Sequence, residues 1–483
     1  MTALETGAEI KNGKISSPEV VRQVLDAAET GNGKTNAYIT LCREKALKRA
    51  EEVQKKIKSG ELLSPLAGVP FSVKDNICTR GVKTTCASRM LENFEPVYNA
   101  TVIDELEKAG AVIIGKLNMD EFAMGSTSET SYFGTVRNPW NNDRVAGGSS
   151  GGAAAAVSGK MALAALGTDT GGSVRQPAAY CGVTGFKPSY GTVSRFGLIA
   201  YASSFDQIGP IARDAADCAA IMNIISGKDK KDGTSLDINY PDFLSSLTGD
   251  VKGVRIGIPA ECYSNPELDT EVAEKTMAAV SVLQKSGACV EEFSLPFFDY
   301  AVPAYYIIAS AEASSNLSRY DGVKYGFRSD DSGSLSNMYC DSRSMGFGSE
   351  VKRRIILGTF VLSSGYYDAY YQKALKVKSV IMKKTAEIFS KYDLVMCPVS
   401  PATAPETGKS LVNPLKMYIS DIYTVWANLA GLPAISLPCG FDSAGMPVGV
   451  QIIGPALSDV KVLDAAHAYQ KHTDFHKKYA GVK

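Results

Sequence analysis

Along this chain, short apolar runs alternate with stretches of helical period, the pattern of an α/β protein. The N-terminal segment reads as helical, with Ser17, Pro18 and Glu19 supplying a cap, a first-turn proline and an early acid. A charged helix is predicted over about Leu41 to Ser59. The run from Leu66 to Val73 reads as a strand entering the core and ends at Lys74-Asp75-Asn76. Thr101 to Lys108 predicts a helix that Gly110 stops, followed by a short buried strand at Ala111–Ile114. Later strands are expected at Val254–Ile258, Cys289–Leu295, Leu394–Met396, Ile435–Leu437 and Val448–Ile453, with a helix over Thr270–Lys285 and a hairpin turn at Asp442–Met446. The polar stretch from Gly227 to Gly253 reads as a surface connection. Residues 300–390 are rich in Tyr and Ser, carry no strand pattern and predict a helical lobe.

With 483 residues, 45% hydrophobic and 21% charged, the chain can bury a large core. No apolar stretch is long enough to cross a membrane, and the N-terminus has neither an apolar leader nor an arginine-rich one. The ten cysteines form no Cys-x-x-Cys pair, so reduced thiols in a cytoplasmic protein are the expectation. Lys+Arg and Asp+Glu both number 51, and the basic runs are short, which speaks against a chain that grips nucleic acid alone.

Chemistry concentrates in two glycine–serine clusters. The first is Gly147-Gly148-Ser149-Ser150-Gly151-Gly152, the second Thr168-Asp169-Thr170-Gly171-Gly172-Ser173. The alanine run Ala153–Ala156 makes the first a helix-entry loop. Neither cluster is followed by Gly-Lys-Ser/Thr or matches a dinucleotide fingerprint, so phosphate loops are disfavoured. A serine framed by backbone N–H groups is the material of a nucleophile and oxyanion hole. Ser149 and Ser173 are the candidates, with Ser150 as a rival; close packing of glycines is the bland alternative. The three histidines, His467, His472 and His476, all lie in the last seventeen residues, which disfavours a Ser-His-Asp triad. Lys74, at the end of a buried strand, offers another base: desolvation favours its neutral amine. A structural ion pair with Asp75 explains Lys74 equally well. Cys181, among apolar neighbours, reads as an inert buried thiol.

Lys74, Gly147-Gly-Ser-Ser-Gly-Gly152 and Gly167-Thr-Asp-Thr-Gly-Gly-Ser-Val-Arg-Gln-Pro177, in order and with matching separations, resemble the amidase signature family. Lys116-Leu-Asn-Met-Asp-Glu-Phe-Ala-Met-Gly125, Ser194-Arg-Phe-Gly-Leu198, Glu312-Ala-Ser-Ser-Asn-Leu-Ser318 and Ser364-Gly-Tyr-Tyr-Asp-Ala-Tyr-Tyr371 resemble one branch of it, the glutamine-hydrolysing subunits of tRNA-dependent amidotransferases. The likeness spans essentially the whole chain. One departure is Ala146, where the family often has proline.

The resemblance implies a single domain over residues 1–483. Its fold is a mixed central sheet sandwiched by helices, with residues 300–390 as a helical elaboration. It implies a Ser-cisSer-Lys triad: Ser173 as nucleophile, Ser149 as the bridging cis-serine and Lys74 as base. The N–H groups of Thr170, Gly171, Gly172 and Ser173 itself would form the oxyanion hole. Arg354 and Asp421 would hold the α-carboxylate and α-amino group of glutamine, with Tyr305 a weaker pocket residue and Arg353 and Tyr306 adjacent rivals. No metal or cofactor is implied in this chain. ATP and Mg²⁺ would serve a partner within a heterotrimer of A, B and C subunits. The B subunit would hold most of the misacylated tRNA, Glu-tRNA(Gln) or Asp-tRNA(Asn). Two other classes stand beside this reading: a stand-alone amidase, which an apolar pocket in place of Arg354 and Asp421 would favour, and a scaffold protein with an inactive site.

Overall fold

The computed structural model describes residues 1–330, 333–409 and 414–481. Eleven strands form one twisted mixed sheet: β1 (Tyr38–Leu41), β2 (Pro70–Lys74), β3 (Val112–Leu117), β4 (Ala164–Asp169), β5 (Thr184–Lys187), β6 (Gln207–Ala212), β7 (Arg255–Pro259), β8 (Cys289–Phe293), β9 (Leu394–Pro398), β10 (Ala434–Phe441) and β11 (Pro447–Ile453). Their order across the sheet is β1-β3-β2-β4-β6-β5-β10-β11-β9-β7-β8. β3, β2 and β4 run parallel, as do β9, β7 and β8; the remaining neighbours are antiparallel.

Side chains of a strand alternate between faces, and the buried cores follow that alternation. Ala164 and Leu166 of β4 enter one core with Phe71 and Val73 of β2, while Ala165 enters another with Ala153–Ala156. Leu394 and Met396 of β9 join the first core; Val395 and Cys397 join a third, aromatic one. The helices that close the first core include Ala215–Ile225, Thr270–Lys285 and Asp459–Lys471. Ser17–Thr35, Arg43–Lys58 and Gly151–Ser158 cover part of the opposite face. Between β8 and β9 stand four longer helices, Phe298–Leu317, Leu335–Gly346, Ser349–Leu362 and Lys373–Lys391.

Several local expectations shift. Helix Ser17–Thr35 is capped by Ser16, whose hydroxyl accepts from Glu19 N; Ser17 lies inside it and donates to Gly68 O. The charged helix starts at Arg43 because Tyr38–Leu41 is claimed by the sheet edge. The strand expected from Leu66 forms only from Pro70. Among the described residues no helix is long and apolar enough to cross a membrane.

Candidate active site

Three parallel strands, β3, β2 and β4, end at one edge of the sheet, where open α/β sheets place their ligands. β2 delivers Lys74 there, β4 delivers Asp169 and the turn Thr170–Ser173, and β3 leads into Asn118–Gly125. The first glycine cluster closes over them as the entry to helix Gly151–Ser158. Its Gly148–Ser149 peptide bond is cis. Gly148 is required by space: a Cβ there would stand 2.0 Å from Asp120 Oδ2 and 2.7 Å from Thr127 N. Gly148 N donates to Gln176 Oε1 at 3.0 Å, and Gln176 Nε2 donates to Ser126 O at 2.8 Å.

Lys74 is fully buried. Its Nζ lies 2.7 Å from Ser149 Oγ, 2.8 Å from Thr168 Oγ1 and 3.3 Å from Thr168 O. Burial pulls the amine down to about 7, against the opposing pull of the carboxylates Asp120, Asp169 and Asp206. The ion-pair alternative is not what forms. Asp75 faces Lys116, with Nζ 3.5 Å from Oδ1, and accepts from Thr85 N and Oγ1. A neutral Lys74 can donate both hydrogens to Thr168 and turn its lone pair to the Ser149 hydroxyl.

Ser173 sits in the turn beyond β4 and is 8% exposed. Among the described residues its hydroxyl has no hydrogen-bond partner. Ser150, the rival, is wholly buried, with Oγ donating to Thr168 O and accepting from Thr168 N, so its hydroxyl is engaged. Cys181 is buried, and desolvation pushes its thiol far above the ordinary range. The turn is braced by Asp169, whose carboxylate takes Gly172 N at 2.8 Å, Val174 N at 3.2 Å and the Arg175 guanidinium from Nε at 3.0 Å and Nη2 at 3.1 Å. Burial alone would raise the Asp169 carboxyl; Arg175 holds it well below the usual carboxylate range. This bracing engages one of the expected oxyanion-hole amides. The Gly172 N–H is committed to Asp169, while among the described residues the N–H groups of Thr170, Gly171 and Ser173 have no acceptor. An aspartate three residues before a glycine is a side-chain-to-backbone turn signal that makes this legible in sequence. Gly172 itself is needed for its φ of +129° and because a Cβ would meet Thr424 Oγ1 at 2.3 Å.

Beside the turn lies a polar aromatic pocket. Arg354, from helix Ser349–Leu362, is 3% exposed, whereas the Arg353 side chain is 46% exposed and pairs with Glu350. Arg354 Nε donates to Glu350 Oε1 at 2.7 Å and Nη1 to the Tyr201 hydroxyl at 2.6 Å; its guanidinium stands 4.8 Å from the Tyr306 ring and 5.1 Å from that of Tyr418. With Nε taken, a carboxylate can meet the guanidinium end-on, through Nη2. Asp421 accepts from Tyr306 Oη at 2.6 Å and from Ser126 Oγ at 3.0 and 3.1 Å. Burial lifts its carboxyl to about 6. Tyr305 touches the oxyanion turn: its hydroxyl occupies the space of a Gly171 Cβ, 2.5 Å away. The rivals thus separate by place: Tyr306 belongs to Asp421, Tyr305 to Gly171.

Thr168, Gln176 and Tyr201 act through partners distant in sequence, whereas Glu350 sits one helical turn before Arg354; no local pattern assigns any of them its role. Among the described residues no group of three or more His, Cys, Asp or Glu side chains could hold a metal ion.

A buried lysine bonded to a cis-serine, beside a serine in a turn with open amides, defines a class: the chain belongs to the amidase family, which matches residues 19–463. Within it the likenesses are particular. The chain is 56% identical to the A subunit of glutamyl-tRNA(Gln) amidotransferase from Lachnospira eligens, over 97% of this chain and 98% of that protein. It is 52% identical to the protein of that name from Moorella thermoacetica, over 99% and 98%. The crystal structure of the Thermotoga maritima glutamyl-tRNA(Gln) amidotransferase A subunit superposes with a TM-score of 0.81 at 42% identity, covering 98% of this chain and 95% of that one. A bacterial aryl acylamidase of the amidase signature family gives 0.87 at 26% identity, covering 100% and 98%.

Proposed function

We propose that this chain is the glutamine-hydrolysing A subunit of a tRNA-dependent amidotransferase, built as a single domain over residues 1–483. The observation that carries the reading is the 2.7 Å contact from buried Lys74 to the cis-serine Ser149, next to the Ser173 turn. The relatives of the same name support the glutamine assignment.

In this scheme neutral Lys74 takes the Ser149 proton as Ser149 takes the Ser173 proton. Ser173 Oγ attacks the side-chain amide carbon of glutamine. The developing oxyanion meets the N–H groups of Thr170, Gly171 and Ser173; removing one such donor elsewhere costs about 3–4 kcal/mol. Gly172 supports the turn and donates elsewhere. Ser149 returns a proton to the leaving nitrogen, the C–N bond breaks and ammonia departs. Water then attacks the glutamyl ester by the same relay in reverse and releases glutamate. Arg354 takes the α-carboxylate of glutamine and ionised Asp421 its ammonium, with Tyr305 packed against the oxyanion turn. The stand-alone amidase would call for an apolar pocket; buried Arg354 and Asp421 favour an amino-acid substrate.

Ammonia passes to the B and C subunits of a cytoplasmic heterotrimer. There ATP and Mg²⁺, used by the partner, activate Glu-tRNA(Gln) or Asp-tRNA(Asn), held mainly by the B subunit. The balanced charge of this chain suits that division of labour. The test is reconstitution with the two partner proteins, ATP, Mg²⁺ and each misacylated tRNA. Glutamine should yield amidated tRNA, Ser173→Ala should yield none, and ammonium salt should restore product to that variant. A chain that cleaves simple amides but not glutamine contradicts the reading.

A further inference from the structure

Asp206 is a buried carboxylate, 3% exposed, that the hydrolytic scheme leaves unused. It stands one residue before β6. Oδ1 accepts from Thr170 Oγ1 at 2.7 Å and from Ala202 N at 3.2 Å; Oδ2 accepts from Tyr201 N at 2.9 Å and Ala202 N at 3.1 Å. Every partner is a donor, and none is a cation. Arg195, which shares a cavity of about 180 Å³ with Asp206, Lys231 and Asp232, spends its guanidinium on Thr234 Oγ1 and Ser203 O. On one side of the carboxylate is the turn that presents the open amides. On the other is the backbone of Tyr201, whose hydroxyl accepts from Arg354. Only an acceptor-only group satisfies all these donors; an asparagine has one acceptor oxygen and turns an NH₂ toward the rest.

We propose that Asp206 is a positioning residue that clasps Thr170 to Tyr201 and thereby fixes the amides of Thr170, Gly171 and Ser173 where the oxyanion develops. The inference rests on the catalytic reading of Ser173. Displacing reacting groups by about 1 Å costs on the order of 100-fold, so the clasp is worth a measurable share of turnover. Asp206 also contributes a negative charge to Lys74, alongside Asp120 and Asp169. That gives its removal a signature that loosened packing alone would not produce.

The experiment compares Asp206→Asn, Thr170→Val and the double variant in the assembled enzyme, with glutamine and with a simple aliphatic amide, across pH. Each single variant should lower kcat on both substrates by on the order of 10- to 100-fold, with a smaller change in KM. The double variant should be no worse than Asp206→Asn, because both break one contact. The acid limb of kcat/KM should move to lower pH in Asp206→Asn and stay in place in Thr170→Val. Wild-type turnover in Thr170→Val, additive losses, or an unmoved limb in Asp206→Asn would each overturn the assignment. If Asp206→Asn fails to fold, Thr170→Val still decides, since it removes the hydroxyl without a charge. A wild-type enzyme active on the amide and inert on glutamine would sink the glutaminase reading while leaving this comparison valid on the amide.

Discussion

Protonation of Lys74 sets a specific pH profile. The base works only when neutral, and its amine titrates at about 7. Its neutral fraction is then about one in eleven at pH 6 and about ten in eleven at pH 8, a roughly tenfold rise in kcat/KM. Asp421, lifted to about 6, must be ionised to hold the substrate ammonium. Protonation of both groups acts in the same direction, so activity falls as pH falls. From pH 8 to pH 5 the two factors, about 90-fold and about 11-fold, multiply to about 10³. The slope of log kcat/KM against pH should approach two below pH 6. The assay is the initial rate of glutamate release at low glutamine, where the constant reports ionisations of the free enzyme. Asp421→Asn should lower the overall rate, restore a slope of one and keep the limb near pH 7. A flat profile from pH 6 to pH 8, or a limb near the ordinary lysine value of about 10.4, would refute a desolvated Lys74 as base.

Lys74→Arg should lose activity by on the order of 10²- to 10⁴-fold, because arginine stays protonated; near-normal turnover would show that only a positive charge is needed. Arg354→Ala and Asp421→Ala should each cost about 2–5 kcal/mol in kcat/KM for glutamine, the range for stranding a buried charge partner, and leave cleavage of an uncharged aliphatic amide little changed. Equal losses on both substrates would mean that these residues hold the fold. Gly172→Ala forces a Cβ into a φ of +129° and against Thr424; it should cost about 1–3 kcal/mol. A thermal midpoint equal to wild type would show that the turn is less constrained than its geometry implies.

The helices Thr101–Lys108 and Thr270–Lys285 were legible because their periods are local, and Asp269 caps the second. β4, β5 and β6 were not. They are short and rich in Gly, Ala and Thr, and lie between neighbours on both sides, so no alternation of polar and apolar positions marks them. Yet β4 aims the Ser173 turn. The residues of the site were visible where chemistry needs unusual types, a lysine at a buried strand end or serines among glycines. Their supports were not. Asp206 reaches Thr170 across 36 positions and Glu350 sits a helical turn from Arg354 on an unremarkable charged face. The bond from Gly172 N to Asp169, three residues earlier, is by contrast a local turn signal.

The central claim is that Ser173 carries the acyl group. Rapid quench of the enzyme during glutamine turnover, followed by peptide mass analysis, tests it most directly. A glutamyl adduct is predicted on Ser173 during turnover, and none on Ser173→Ala. An adduct on Ser150 or Cys181, or continued glutamine hydrolysis by Ser173→Ala, would contradict it.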